Sequence, residues 1–480
     1  MSKYYIIIFA ISISSILLGQ ENLPYTNDQY SGINGALVSP TLTFLNPNPW
    51  DINVVAEDVF LQNDYVYISQ LSLLGLRNTP TRSRNKIKNI NGENTANVIE
   101  FYNTDFANYH FSSDILGPSF SKKIAIKQKY FTVGLFSRLR TQTSAIKIDN
   151  YLKYGNQGFV EPEFYSLKPL QINFMNWAEL GLNLATEIFP YSEYQWIVGA
   201  NFKYEIGFDA LQVNSTSPIE LHRTSEITNG IDTKTIYASN YNIEVNLATN
   251  YNFDTKRYEY KQKGKGFGID FGIAVVDPIE NSDDYYFKAS AHILDFGKVN
   301  YEGEKHLFAG NNLKVVNNPN LENTKFKSPT QYFQLLSKEI YGNENASFQG
   351  NDFQMGLPTS IHLNASKNVG EQQYINADWI QRIPVFENSL KRSNIFSASY
   401  TVQKPVVGYG ASVSLYEYQN FQFGGYFRIG PLIVGSSNVL PLFFNQKKLH
   451  SGDFYLALKI YPFWDNEMKR HRRANCNCDN

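Results

Sequence analysis

The stretch Gly266–Val275, reading Gly-Phe-Gly-Ile-Asp-Phe-Gly-Ile-Ala-Val, limits the possible folds more than any other part of the chain. In an extended chain, successive side chains point to opposite faces. Phe267, Ile269, Phe271, Ile273 and Val275 then form a wholly apolar face, while Gly266, Gly268, Asp270, Gly272 and Ala274 form a small or charged one. One such strand would also suit the half-buried sheet of a soluble sandwich. The constraint comes from repetition of the pattern through most of a chain that opens on an export signal. Repeated strands of about ten residues, apolar outside and polar inside, are the signature of a transmembrane β-barrel.

The repetition runs from Phe131 to Ile460. Phe131, Val133, Leu135 and Leu139 alternate with Gly134, Phe136, Arg138 and Arg140. Ala178, Leu180, Leu182 and Leu184 alternate with Glu179, Gly181 and Asn183, and the run from Trp196 to Ile206 alternates with Gly199, Asn201, Lys203 and Glu205. The same rule sets Lys288 and His292 opposite Phe287 and Ile293, His362 opposite Leu363, and Asp378 opposite Trp379. Arg428 opposes Phe427, and Lys459 opposes Leu458. The predicted fold is all-β: a transmembrane antiparallel barrel of roughly 12–16 strands.

The N-terminus reads as a secretory signal. Lys3 precedes an apolar run from Tyr4 to Leu18, and Gly19 offers a small residue for cleavage before Gln20. The run is short for a spanning helix, which needs about 20 apolar residues. No later stretch is long and apolar enough, so a membrane-embedded mature chain has to be a closed sheet. The domain reading is a signal peptide over 1–19, an irregular leader over 20–50, a barrel over 51–464 and a basic tail over 465–480. The leader carries Pro40, Pro47 and Pro49, which exclude a regular ladder, and it suits a plug inside the barrel or a segment at its mouth.

Short connections near 127, 191 and 367 alternate with long ones over about 142–170 and 212–237, as in barrels with short periplasmic turns and long external loops. The short connection at 278–284 falls out of phase with that alternation. Ser328-Pro329, with Phe333, Leu336 and Ile340 at helical spacing and Gly342 as a stop, predicts one short helix in a long connection over 303–356. The polar stretch Arg77–Asn97, with Arg82, Arg84, Lys86 and Lys88, reads as a solvated loop.

Composition fits this reading and excludes others. A net charge of −1 leaves no general basic footprint, so no nucleic-acid partner is expected. The 33 Tyr and 34 Phe residues suit the aromatic girdles of a barrel. The two cysteines, Cys476 and Cys478, both lie in the tail beside the basic run Lys469–Arg473; they make no disulfide framework and only an incomplete metal site.

The motifs Tyr30-Ser-Gly-Ile-Asn-Gly35, Gly264-Lys-Gly-Phe-Gly-Ile-Asp270, Ile293-Leu-Asp-Phe-Gly297, Gly356-Leu-Pro-Thr359 and Ile429-Gly-Pro-Leu-Ile-Val-Gly-Ser-Ser-Asn438 follow in that order, together with the strand pair Asp51–Tyr65. In this order and spacing the chain resembles, over about residues 25–463, a Bacteroidetes-type family of outer-membrane barrels known mainly as a domain of unknown function. Some relatives carry a C-terminal peptidoglycan-binding domain of the OmpA type, which this sequence does not show. The resemblance implies an outer-membrane barrel with lipid around it. It brings no activity, cofactor or catalytic residue. A more distant likeness is to barrels that move fatty acids or assist secretion.

The seven histidines are dispersed, none in a metal-binding spacing, and no nucleophile motif such as Gly-x-Ser-x-Gly occurs. Gly264-Lys-Gly-Phe-Gly lacks phosphate-loop spacing and opens a strand. The candidate functional residues are therefore the polar groups expected to line the lumen: Arg138, Arg140, Glu179, Lys203, Glu205, Asp270, Lys288, His292, His362, Asp378, Arg428 and Lys459. Their mixed signs point to an interior filled with paired side chains or to a pore without strong ion selectivity. The expected role is non-enzymatic, with no cofactor: either passage of a small or apolar solute, or a sealed scaffold for a surface or secretion complex with protein partners. The alternatives are a secreted soluble β-sandwich or propeller that binds a ligand, and an outer-membrane hydrolase using His292 or His362.

Overall fold

The computed structural model describes residues 23–462, apart from 77–80, 84–96, 103–105, 127–128, 150–163, 191, 229–230 and 281. The segment over 1–19 expected to be a signal peptide and the Cys476/Cys478 tail lie outside the described residues.

Fourteen antiparallel strands close into a barrel. The first, Trp50–Asn63, meets the last, Ser451–Ile460, with Ile52 opposite Ile460 and Asn53 opposite Lys459. Closure leaves no unpaired strand edge. Three of the fourteen are broken strands. Phe106–Leu116 and Ser119–Ile126 run end to end against Trp50–Asn63. Tyr241–Ala248 and Gly264–Pro278 run end to end against Gln195–Ser215. Phe348–Gly356 and Ser360–Gly370 do the same against Tyr285–Gly310.

The second of these breaks explains the phase anomaly in the sequence. Residues 249–263 look like a connection between two strands but are an insertion within one. With that insertion discounted, 278–284 falls at the same mouth as the turns at 188–194, 371–372, 404–406 and 430–431. That mouth also receives the start of the first strand and the end of the last. The opposite mouth carries most of the long connections.

Several strands run further than the sequence pattern suggests, because the alternation persists above the apolar belt with polar residues on both faces. Lys129–Asp149 and Gln195–Ser215 each extend past the expected loop starts. The long connection starts after Gly310 and ends before Phe348, rather than spanning 303–356. It holds two helices, Pro319–Asn323 and Pro329–Tyr341, where one was expected. In the second, the Ser328 side chain accepts from the Gln331 N–H, and Gly342 closes the helix at φ +71°. Short helices also form at Leu73–Leu76 and Leu440–Phe443. Ile219–Thr228 and Ile231–Ser239 form a hairpin that joins Phe164–Leu167 and Leu313–Val316 in a separate four-stranded sheet.

The outer face of the barrel is apolar over a broad belt. Phe202, Phe267, Phe271, Ile293, Ile375, Phe396, Phe427 and Leu458 are all exposed, and Phe267 reaches 73%. The inward residues of the same strands are buried. Among the described residues no helix is long and apolar enough to cross a membrane.

Candidate functional site: a plugged lumen

The lumen is filled by the protein's own leader. Leu23 to Asn48 is buried throughout, apart from the half-buried Leu37. The segment is compact because it turns on itself in short helical pieces, Leu23–Thr26, Gln29–Ser31, Gly35–Leu37 and Leu42–Leu45. Such a chain buries backbone polar groups that have no ladder to satisfy them, and each has to find a partner. The wall supplies many of these partners. Asn201 donates to the Ala36 carbonyl at 2.8 Å and Asn183 to the Pro40 carbonyl at 3.1 Å. Lys459 donates to the Tyr30 carbonyl at 3.3 Å.

Two glycines show how closely leader and wall approach. Gly32, in the motif Tyr30–Gly35, sits at φ +54°, and a Cβ there would strike the Asp51 carboxylate. At Gly199, a wall residue, a Cβ would lie 2.6 Å from the Pro40 backbone. A side chain at either position would collide with groups that have little room to move.

All twelve candidate lumen residues are buried inside the barrel, and the structure sorts them into three groups. The first pins the leader near the short-turn mouth. Arg428 pairs with Asp28 of the leader at 3.1 Å and donates to the Tyr461 hydroxyl at 2.8 Å. Asp28 also accepts from the Tyr426 hydroxyl at 2.8 Å and from the Tyr30 N–H at 2.9 Å. Lys459 pairs with Asp51 at 2.7 Å, and Asp51 in turn accepts from Ser121 and from the Ile33 N–H.

The second group lies around His292 and His362, whose rings are 5.5 Å apart. His362 bridges the Val38 carbonyl and Asp378, each at 2.9 Å. Asp378 also accepts from Asn364 and from Asn27 of the leader. His292 meets Ser39 at 3.0 Å, but its Nδ1 has no hydrogen-bond partner among the described residues. Ser39 and Asp378 thus contact different histidines, and among the described residues no carboxylate is hydrogen-bonded to His292. Lys288 is buried nearby, its ammonium 5.8 Å from the centre of the Tyr285 ring.

The third group is a central ion cluster. Arg138 pairs with Asp114 and, at 3.5 Å, with Glu179. Arg140 bridges Glu179 at 2.8 Å and Asp295 at 2.9 Å, and its guanidinium lies 4.8 Å from the Trp177 ring. Lys203 joins Asp270 to Asp295. Glu205 lies beside them with neither carboxylate oxygen hydrogen-bonded among the described residues.

Sequence reasoning missed Asp295, the residue on which this cluster converges. Strict alternation places it outside, with Phe287 and Ile293. A bulge at Leu294–Asp295, with Asp295 at φ +53°, turns two successive residues inward. A lone aspartate on an otherwise apolar face, two residues before Gly297, was the available signal. Asp28 and Asp51 were missed for another reason: their partners Arg428 and Lys459 lie some four hundred residues away in sequence.

A second segment closes the lumen from the long-loop mouth. Residues 383–394 fold inward, where Leu390 packs among Met175, Trp177, Tyr301, Met355 and Leu357. Asn173 donates to the Ser389 carbonyl at 2.8 Å, the Lys391 N–H donates to Ser144 at 3.1 Å, and Arg392 reaches Asp295 at 3.4 Å. Beside loop and leader lie two small cavities of about 30 Å³ each, lined in common by Asp58 and Asp114. Among the described residues no cluster of three or more metal-ligating side chains occurs.

Fold and lumen together define a closed, internally plugged β-barrel. Residues 50–437 match the Family of unknown function (DUF5723), and the chain belongs to that family. Among solved structures, the transport unit of the autotransporter AIDA-I from Escherichia coli aligns over 92% of this chain and 98% of its own, at 10% identity and a TM-score of 0.26. A Pseudomonas aeruginosa FadL homologue aligns over 90% of this chain and 93% of its own, at 8% identity and a TM-score of 0.22. Scores this low carry no argument about this chain. No curated protein matches it.

Proposed function

We propose that this protein is an exported, integral outer-membrane β-barrel that is sealed at rest and serves as a non-enzymatic scaffold for a surface or secretion complex. The observation that carries the reading is the leader, which occupies the lumen and binds wall residues from Asn183 round to Lys459. An open pore of mixed-sign lining would leave these charges to water. Here most of them, Glu205 and Lys288 apart, bind one another and the leader, which favours a sealed body over a conduit. The apolar outer belt supports lipid as the barrel's surroundings.

The test is conductance of purified protein in a planar lipid bilayer. The expected result is that the wild type inserts and stays silent, while a variant that lacks residues 23–45 and has the inward loop 383–394 replaced by a short Gly-Ser turn shows current. Steady wild-type conductance would overturn the sealed reading and favour passage of a small solute. Failure to partition into detergent or bilayer would overturn the membrane reading.

A further inference from the structure

The insertion 249–263 breaks a barrel strand at mid-wall. Its two ends lie close together, with Ala248 opposite Ala210 and Gly264 opposite Gly207 on the neighbouring strand. The insertion cannot turn into the lumen, because Tyr301 fills the space at that level: a Cβ on Gly207 or Gly264 would meet its ring. It therefore leaves the wall on the outside. Asp209 fixes its base, accepting from the Asn250 N–H at 2.6 Å and from the Tyr258 hydroxyl. Asn250 ties the two arms together by donating to the Lys261 carbonyl at 2.7 Å.

The level of this hairpin is set by the belt below it. On the strand that it interrupts, the outward residues Val275, Ile273, Phe271, Ile269 and Phe267 give way to Lys265. On the next strand, Phe296 gives way to Lys298, Asn300 and Glu302. The hairpin thus projects sideways just above the apolar boundary, on the side of the long-loop mouth. Its composition suits that place. Tyr251 packs edge-on against Phe253, and Tyr258 against Tyr260, which is 81% exposed. Lys256, Arg257, Lys261 and Lys265 are exposed. Glu259 is occupied by Lys261 and Asn252. Among the described residues, Lys256, Arg257, Lys263 and Lys265 have no carboxylate within ion-pair distance.

We propose that this hairpin is a lateral foot that rests on the surrounding leaflet and binds phosphorylated lipid headgroups, its tyrosines at the interface and its cations on the phosphates. The proposal rests on the membrane reading above. Tyrosines favour the boundary between chain and headgroup, and each exposed cation near an anionic surface strengthens the attraction about fivefold. An acidic protein partner would also meet the cations, but it would not account for aromatics held at the edge of the belt.

The test uses the full barrel reconstituted in phosphatidylcholine vesicles with and without lipid A. A K256Q/R257Q/K265Q variant is compared with a K325Q/K327Q/K338Q control, which removes three exposed lysines from the long connection. Three cations at that strength predict that the hairpin variant retains lipid A at least about tenfold more weakly than wild type, read by native mass spectrometry, while the control is unchanged. A fluorophore on Y260C, in a C476S/C478S background, should shift to the blue in vesicles and shift further with lipid A. Equal lipid A retention by hairpin variant and control, or a Tyr260 probe that reports bulk water in inserted barrels, would overturn the foot and leave the membrane barrel standing. A wild type that does not enter either vesicle would instead overturn the membrane reading itself.

Discussion

Asp28 is the residue whose loss should reveal most about the plug. Its carboxylate is buried and serves Arg428, Tyr426 and the Tyr30 N–H at once. Asp28→Ala would leave the Arg428 guanidinium buried without a counter-charge, a situation that costs about 3–5 kcal/mol. Arg428 would keep its bonds to the Pro405 and Lys404 carbonyls and to Tyr461, at 2.8–3.0 Å, so the lower end, about 3 kcal/mol, is expected. The assay is equilibrium urea unfolding in lipid vesicles followed by tryptophan fluorescence. The double variant Asp28→Ala/Arg428→Met removes the stranded charge along with its partner and should regain at least about half of the loss. A double variant no more stable than Asp28→Ala alone would refute the reasoning, as would a single-variant cost below about 1 kcal/mol, the value of an exposed pair.

Phe271→Lys places a charge on the outward belt and should destabilise the inserted barrel by about 2–4 kcal/mol, measured by the same unfolding assay; no loss would mean that this face meets water. Gly199→Val puts a side chain into the Pro40 backbone and should free the leader, seen as protease cleavage within residues 23–45 while the unheated barrel still migrates faster than the boiled one. Glu417, in a turn at the long-loop mouth, is raised by burial but lowered more by His110, by Arg382 at 2.9 Å and by the Asn394 N–H, so its carboxyl titrates below the ordinary range. That stabilisation is complete above the unfolded carboxyl's value of 4.5 and is lost as pH falls through the lower folded value. Glu417→Gln should flatten this acid dependence in pH-titrated unfolding, and an unchanged profile would count against it.

Much of the wall was legible in the sequence, because alternation is a local property. Each strand carries its own record of which face meets the apolar side, so Phe267 outward and Asp270 inward follow from two-residue periodicity alone. The twelve lumen residues were placed inside by the same rule. It failed at Asp295, where one extra residue in a bulge reverses parity, and it left 278–284 out of phase, because the insertion at 249–263 lies within a strand. Neither event leaves a periodic trace.

By itself the sequence determined an all-β chain of long alternating strands, with one face apolar, the other polar, and a proline-bearing segment ahead of the first strand. The tertiary structure decided the number of strands, the closure of Ile52 against Ile460, and the filling of the lumen. The physical reason is range. Periodicity is set between neighbours along the chain, whereas the pairs that hold the plug, Asp28 with Arg428 and Asn27 with Asp378, join residues that meet only after the barrel has closed.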